Sequence, residues 1–166
     1  MFEIGEAVVY AAYGVCIVEA VETRDLTGEE VEYYVLRPVG DGRSRFYVPT
    51  SGSPLLDKLR RVCTREDADE LIAGMPETEL LPPQDEIQRK AEYRRIMENG
   101  SPRELVSLIR TLYLSRRELA SRNKKLHSAE DRLLTEADDL LCAELSYALG
   151  IPRGEVVGYI RSRVKE

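Results

Sequence analysis

Few side chains in this sequence could make or break bonds. There is one histidine, His127, and no tryptophan; the three cysteines are Cys16, Cys63 and Cys142. The cysteines are far apart and odd in number, which fits reduced thiols better than a disulfide framework or a zinc site. His127 comes just after "NKK" and before a helix start, so it reads as an exposed loop residue. No CxxC, HExxH or GxSxG motif occurs, and no glycine loop that could cradle a phosphate. Paired carboxylates in "TEADDLLCAE" could in principle do acid–base work, but their spacing matches the wet face of a helix. No catalytic residue, metal ligand, cofactor or small-molecule substrate is expected, and the chain does not read as an enzyme.

What remains is charge and aromatic surface. Between residues 87 and 127 there are eleven bases against four acids; from 128 to 148 Arg132 stands alone against six acids. Arg103, Arg110, Arg117 and Lys124 recur every seven residues. Two helical turns return nearly to the same direction, so these four form one basic stripe. Such a stripe suits salt-sensitive, sequence-tolerant contact with a phosphate backbone. It equally suits pairing with the acidic helix that follows. Arginine dominates the stripe, and its planar fork favours phosphate or carboxylate. Tyr10, Tyr13, Tyr33, Tyr34 and Tyr47 could build an aromatic cage for methylated peptides, which would make the chain a Tudor-like protein–protein interaction module with no DNA contact, although barrel tyrosines commonly serve as core or rim.

The elements that must position these residues fall into two unlike halves. Residues 2 to 49 are rich in Val, Tyr, Ile and Phe and broken by Gly and Pro, with strands expected near 6–12, 14–24, 31–38 and 43–49. "TGEE" and "GDG" read as turns, and Gly5 and Gly14 as turn glycines. "VEYYVLRP" is apolar enough to be covered on both sides. These short strands predict a small SH3- or Tudor-like β-barrel.

From residue 55 the period turns helical. Thr64, with Asp67 three residues on, opens a short helix ended by Gly74 and Pro76; "PETELLPPQ" reads as a hinge. A helix over "DEIQRKAEYRRIMEN" stops at Gly100. Ser101, Pro102 and Glu104 form a capping box for the next one, whose Leu105, Leu108, Ile109 and Leu112 make an apolar stripe. Ser128 opens another helix ended by Gly150, with Leu140, Leu141, Leu145 and Leu149 as its core face, and Pro152 starts a last one. Tyr113 reads as core packing. The expected architecture is α+β in two domains: a barrel over 1–62, a short helix and hinge over 63–84, and an all-α bundle over 85–166.

With 166 residues the chain fits one large or two small domains. Its 43% hydrophobic and 33% charged content is that of a soluble protein, and a net charge of −6 excludes a simple polyanion binder. No apolar run approaches the ~18 residues of a membrane span. The start "MFEIGEAVVY" lacks the pattern of a secretory signal, so a cytoplasmic location is expected.

The series "FEIGEAVVYAAYGVCIVEAVETR", "GEEVEYYVLRP", "FYVP", "KLRRV" and "NGSPRELVSLIRTLY" resembles, in order and spacing, the CarD/CdnL family of bacterial RNA-polymerase-binding transcription regulators. The first half also resembles the polymerase-interaction domain of transcription-repair coupling factor. The resemblance implies a Tudor-like module that binds the RNA polymerase β subunit partly through an exposed strand. It also implies a helical domain that contacts promoter DNA at the upstream edge of the bubble and favours the open complex. Family members close the second strand with a basic residue, matched here by Arg24, and carry another before V-P. Tyr47 stands at that second position, with Arg45 two residues earlier on the same face. Many relatives begin the second helical segment with a tryptophan. Gapless matching from the N-G-S turn puts Glu86 there, with Ile87 beside it, while Arg89 matches a basic residue of that motif. The polymerase-facing candidates are therefore Arg24, Arg45 and Tyr47. The DNA-facing candidates are Arg89, Lys90, Arg103, Arg110, Arg117 and Lys124.

Overall fold

A computed structural model describes residues 1–164, with only the backbone described at Ala12. The chain divides into two compact units, Met1–Val62 and Cys63–Glu166.

The first unit is an antiparallel five-stranded sheet of β1 (Ala7–Tyr10), β2 (Val15–Asp25), β3 (Glu30–Pro38), β4 (Phe46–Pro49) and β5 (Leu59–Arg61), in the order β4-β3-β2-β1-β5. The four expected strands are present, and part of the segment around "KLRRV" supplies the fifth. The ladders are open, with β4 and β5 as the two edges, so the expected barrel closure is absent from the hydrogen-bonded pattern. Between those edges the chain makes a 3-10 turn, Pro54–Lys58, whose Leu55 and Leu56 pack against the sheet's core. That core is Val8, Tyr10, Cys16, Val18, Tyr34, Leu36, Val48 and Leu59. On β3, Tyr33 and Val35 point the other way by strand alternation and are buried too.

A β-bulge interrupts the β2–β3 register between Val18 and Ala20, leaving Glu19 as the extra residue. Because strand side chains alternate, this one residue changes which of β2's residues face the core. Before it Cys16 and Val18 point inward. After it Ala20, Glu22 and Arg24 pair with Val35, Tyr33 and Val31 on the outer face.

The second unit holds α1 (Arg65–Ala73), α2 (Glu86–Asn99), α3 (Pro102–Ser121), α4 (Ser128–Leu149) and α5 (Val156–Arg163). The local signals act as the sequence predicts at the starts of α1 and α3, and α2 has a cap that the sequence reading did not name. Thr64 with Asp67 and Ser101 with Glu104 form capping boxes, and Asp85 accepts from the Gln88 amide. α4 begins at Ser128, but the cap position is His127, whose side chain caps nothing. Pro152 does not open the last helix directly: a 3-10 turn, Arg153–Glu155, comes first. Gly100 ends α2 where a Cβ would lie 2.4 Å from the Ile96 carbonyl oxygen, so only glycine fits that turn.

Residues 63–84, expected as a short helix and hinge, lie inside this helical unit. Ala68 and Ile72 of α1 share a buried cluster with Val106, Leu141, Leu145, Leu149 and Val156. The proline-rich stretch is strapped to α3: Arg110 Nη1 donates to the Thr78 carbonyl, and the Leu81 amide donates to Thr111 Oγ1 at 2.9 Å. A second cluster joins Tyr93, Ile96 and Met97 of α2 to Leu105, Leu108 and Leu112 of α3 and Leu134 and Ala137 of α4. Ile109 packs against both clusters, and Leu140 is partly buried at the second. Tyr113 departs from its expected place in the core, being 46% exposed. No helix among the described residues is long and apolar enough to cross a membrane.

Candidate interaction surfaces

The outer face of β2, β3 and β4 gathers the three residues singled out in the first unit. The registers place Arg24 of β2, Val31, Tyr33, Val35 and Arg37 of β3, and Tyr47 of β4 on one side, with Arg45 one pairing step beyond the end of β4. Arg24 Nε donates to Glu22 at 2.8 Å, and its guanidinium lies 5.0 Å from the centre of the Tyr47 ring. The Tyr47 ring meets Tyr33 edge-on at 6.3 Å. The Glu22 hydrogen bond is the largest cause holding the Arg24 guanidinium firmly protonated. Arg24 and Tyr47 therefore form one cation–aromatic unit.

Arg45 is held at the other end of the same face. Its fork bonds Glu19 through both oxygens, at 2.6 and 3.1 Å, and Nη1 also donates to the carbonyls of Gly42 and Ser44. Arg37 lies 3.6 Å from the same carboxylate. Glu19 and Arg37 escaped the sequence reading because their roles follow from the bulge, which turns Glu19 toward both arginines. A "VEA" stretch within an alternating strand carries no signal of that.

The five tyrosines do not converge on one cage. Tyr34 is buried and its hydroxyl accepts from the Phe2 amide at 3.2 Å. Tyr10 and Tyr13 pack with Phe46, at 5.4 and 4.6 Å between ring centres. Tyr33 and Tyr47 make the separate pair on the outer face.

In the helical unit the basic candidates split by environment. Arg103 and Arg117 are exposed on α3 and have no ion pair among the described residues. Arg110 departs from the expected free stripe, because it is the half-buried tie to Thr78. Lys124 lies past the end of α3, where Asn123 takes a left-handed φ of 58°, so the stripe ends before it. Lys124 and Lys125 instead line a hollow of about 410 Å³ with Arg116. Arg116 pairs with Asp131 at 3.5 Å and lies 5.6 Å from the Tyr113 ring centre. Arg89 sits 3.8 Å from Glu130 on α4, the pairing of basic and acidic helices that the charge pattern allowed. Glu86, the first residue of α2, pairs with Lys90 at 3.0 Å, and that contact holds its carboxyl below the usual range. Ile87 beside it is 82% exposed.

His127 is exposed at the start of α4. Burial pushes the Cys16 and Cys142 thiols up to about 11, far from a reactive thiolate. Among the described residues no group of three or more His, Cys, Asp or Glu side chains could hold a metal ion.

An open antiparallel sheet with a charged and aromatic outer face is thus followed by a capped helical unit whose Arg103 and Arg117 have no ion pair among the described residues. Two family models cover this arrangement. The CarD-like/TRCF RID domain matches residues 2–63, and the CarD C-terminal domain matches residues 71–161. The chain belongs to the CarD family of transcription regulators. Among curated proteins it is similar to "Putative transcription factor YdeB" of Bacillus subtilis (strain 168), at 24% identity over 161 residues, spanning 96% of this chain and 99% of that protein.

Proposed function

We propose that this protein is a cytoplasmic, non-enzymatic regulator that docks on the RNA polymerase β subunit through its first unit and alters promoter open-complex formation through its helical unit. The observation that carries the reading is the Arg24–Tyr47–Tyr33 cluster on the outer face of β2–β4, beside the open edge strand β4. An open edge offers unpaired backbone groups to a partner strand, and an aromatic ring under a guanidinium offers a rigid contact beside it. The family's polymerase-interaction domain falls on this same unit. In this reading the unit is an incomplete Tudor-like barrel, open along β4, with Leu55 and Leu56 of the turn Pro54–Lys58 packed against its core.

For DNA, the reading rests on Arg103, Arg117 and Lys124, with Arg89 and Lys90 engaged in ion pairs to Glu130 and Glu86 and Arg110 tied to the Thr78 carbonyl. Where relatives place a tryptophan, this chain has the Glu86–Lys90 ion pair and the exposed Ile87. Contact here is therefore made to phosphates rather than by a stacked ring. The test is transcription with cognate polymerase, comparing the intact chain with Arg24→Glu/Tyr47→Ala and with Arg103→Glu/Arg117→Glu. The first pair should abolish co-purification with the β subunit. The second should leave co-purification intact and reduce the change in open-complex lifetime. Full β-subunit binding by the first variant would remove the outer face from the mechanism.

A further inference from the structure

Between α3, α4 and α5 the helical unit opens a groove of about 830 Å³. Its lining includes the buried Val106 and Leu141 and the half-buried Ile160, together with three charged residues, Arg110, Arg161 and Asp138. The volume is within the range of small-molecule sites, about 300–1,000 Å³, and an apolar lining with a few polar groups is their usual make-up. Arg161 is exposed and has no ion pair among the described residues. Arg110 commits Nη1 to the Thr78 carbonyl, and no other bond of its fork occurs among the described residues.

We propose that this groove binds an amphiphilic monoanion: a medium-length acyl chain that lies along Val106, Leu141 and Ile160 and ends in a carboxylate between Arg110 and Arg161. Two guanidiniums against one carboxylate favour an anionic head and oppose a cationic one. Asp138 sets the charge of that head. Its negative charge on the same groove opposes a dianion such as a phosphate monoester, while a single carboxylate still meets two arginine forks. Burial, and then the neighbouring Asp139, raise the Asp138 carboxyl above the usual range, while Arg153 opposes them.

The test uses the intact chain with dodecanoate, dodecyl phosphate and dodecyltrimethylammonium, each below its micelle concentration, followed by calorimetry and methyl NMR. Dodecanoate should bind one per chain and shift the methyl signals of Val106, Leu141 and Ile160. Arg161→Glu should weaken it at least about tenfold by reversing a charged contact. Arg163→Glu, on the same helix but stacked on Tyr159 at 4.6 Å, should leave affinity unchanged. Equal binding of the cationic amphiphile, methyl shifts confined to other residues, or an Arg161→Glu chain that binds as well as the native one would each overturn the assignment.

Discussion

Replacing Arg110 with alanine separates the structural role of this residue from the one its heptad spacing suggests. In the structure the side chain runs from α3 to the Thr78 carbonyl, and Thr78 is itself only 4% exposed. Alanine removes the half-buried donor and leaves the carbonyl of a buried residue unpartnered. A hydrogen bond from a charged donor contributes about 1.5–3 kcal/mol, and partial exposure puts this one near the low end, about 1–2 kcal/mol. With a urea slope of about 1–3 kcal/mol per molar for a domain this size, the unfolding midpoint should fall by roughly 0.3–2 M. Far-ultraviolet circular dichroism follows the transition, since the helices lie in the affected unit. Amide exchange at Leu81, bonded to Thr111 on the same strap, should speed up in parallel. DNA affinity should change less than in Arg117→Ala. A chain that keeps its midpoint but loses DNA binding as Arg117→Ala does would refute the strap and restore Arg110 to the phosphate-contacting stripe.

If Arg117 meets phosphate, Arg117→Ala should lower the slope of log affinity against log salt by about 1, measured by fluorescence anisotropy on unrelated duplexes; an unchanged slope removes it from the interface. The Glu104 carboxyl is held below its ordinary value of 4.5, chiefly by its hydrogen bond from Arg95. Its contribution is complete above that ordinary value and disappears as pH falls toward the lowered one. The urea midpoint of the native chain should exceed that of Glu104→Gln at neutral pH, and the gap should narrow as pH falls below 4.5; a gap that stays constant in acid contradicts the ion-pair origin. Cys16 and Cys142, both buried with thiols raised to about 11, should resist a thiol reagent at neutral pH until the chain unfolds, with Cys63 reacting first; prompt native labelling of all three would contradict the burial.

Local signals carried much of this fold because each acts within a few residues. Capping boxes at Thr64 and Ser101, the stop at Gly100 and the apolar stripe of α3 depend on hydrogen bonds and periodicity that neighbours alone provide. The strands, the two-part organisation and the family resemblance were legible for the same reason. Arg24 and Tyr47 could be named as candidates, but their stacking could not, because it depends on the β2–β3–β4 registers.

Residues far apart in the chain were decided by the tertiary structure. The bulge at Glu19 sets which side of the sheet Arg24 occupies and draws Arg45 into a bidentate pair from 26 residues away. The seven-residue spacing marked Arg110 as equivalent to Arg103 and Arg117, yet its neighbour in space is Thr78, 32 residues back. Tyr113 had the composition of a core residue and lies half in solvent, because α2 and α4 cover a different face of α3. Sequence determined which elements form and where they begin and end, since those choices are settled by neighbouring residues. Only packing between distant segments decided which arginines have no ion pair among the described residues and which hold the protein together.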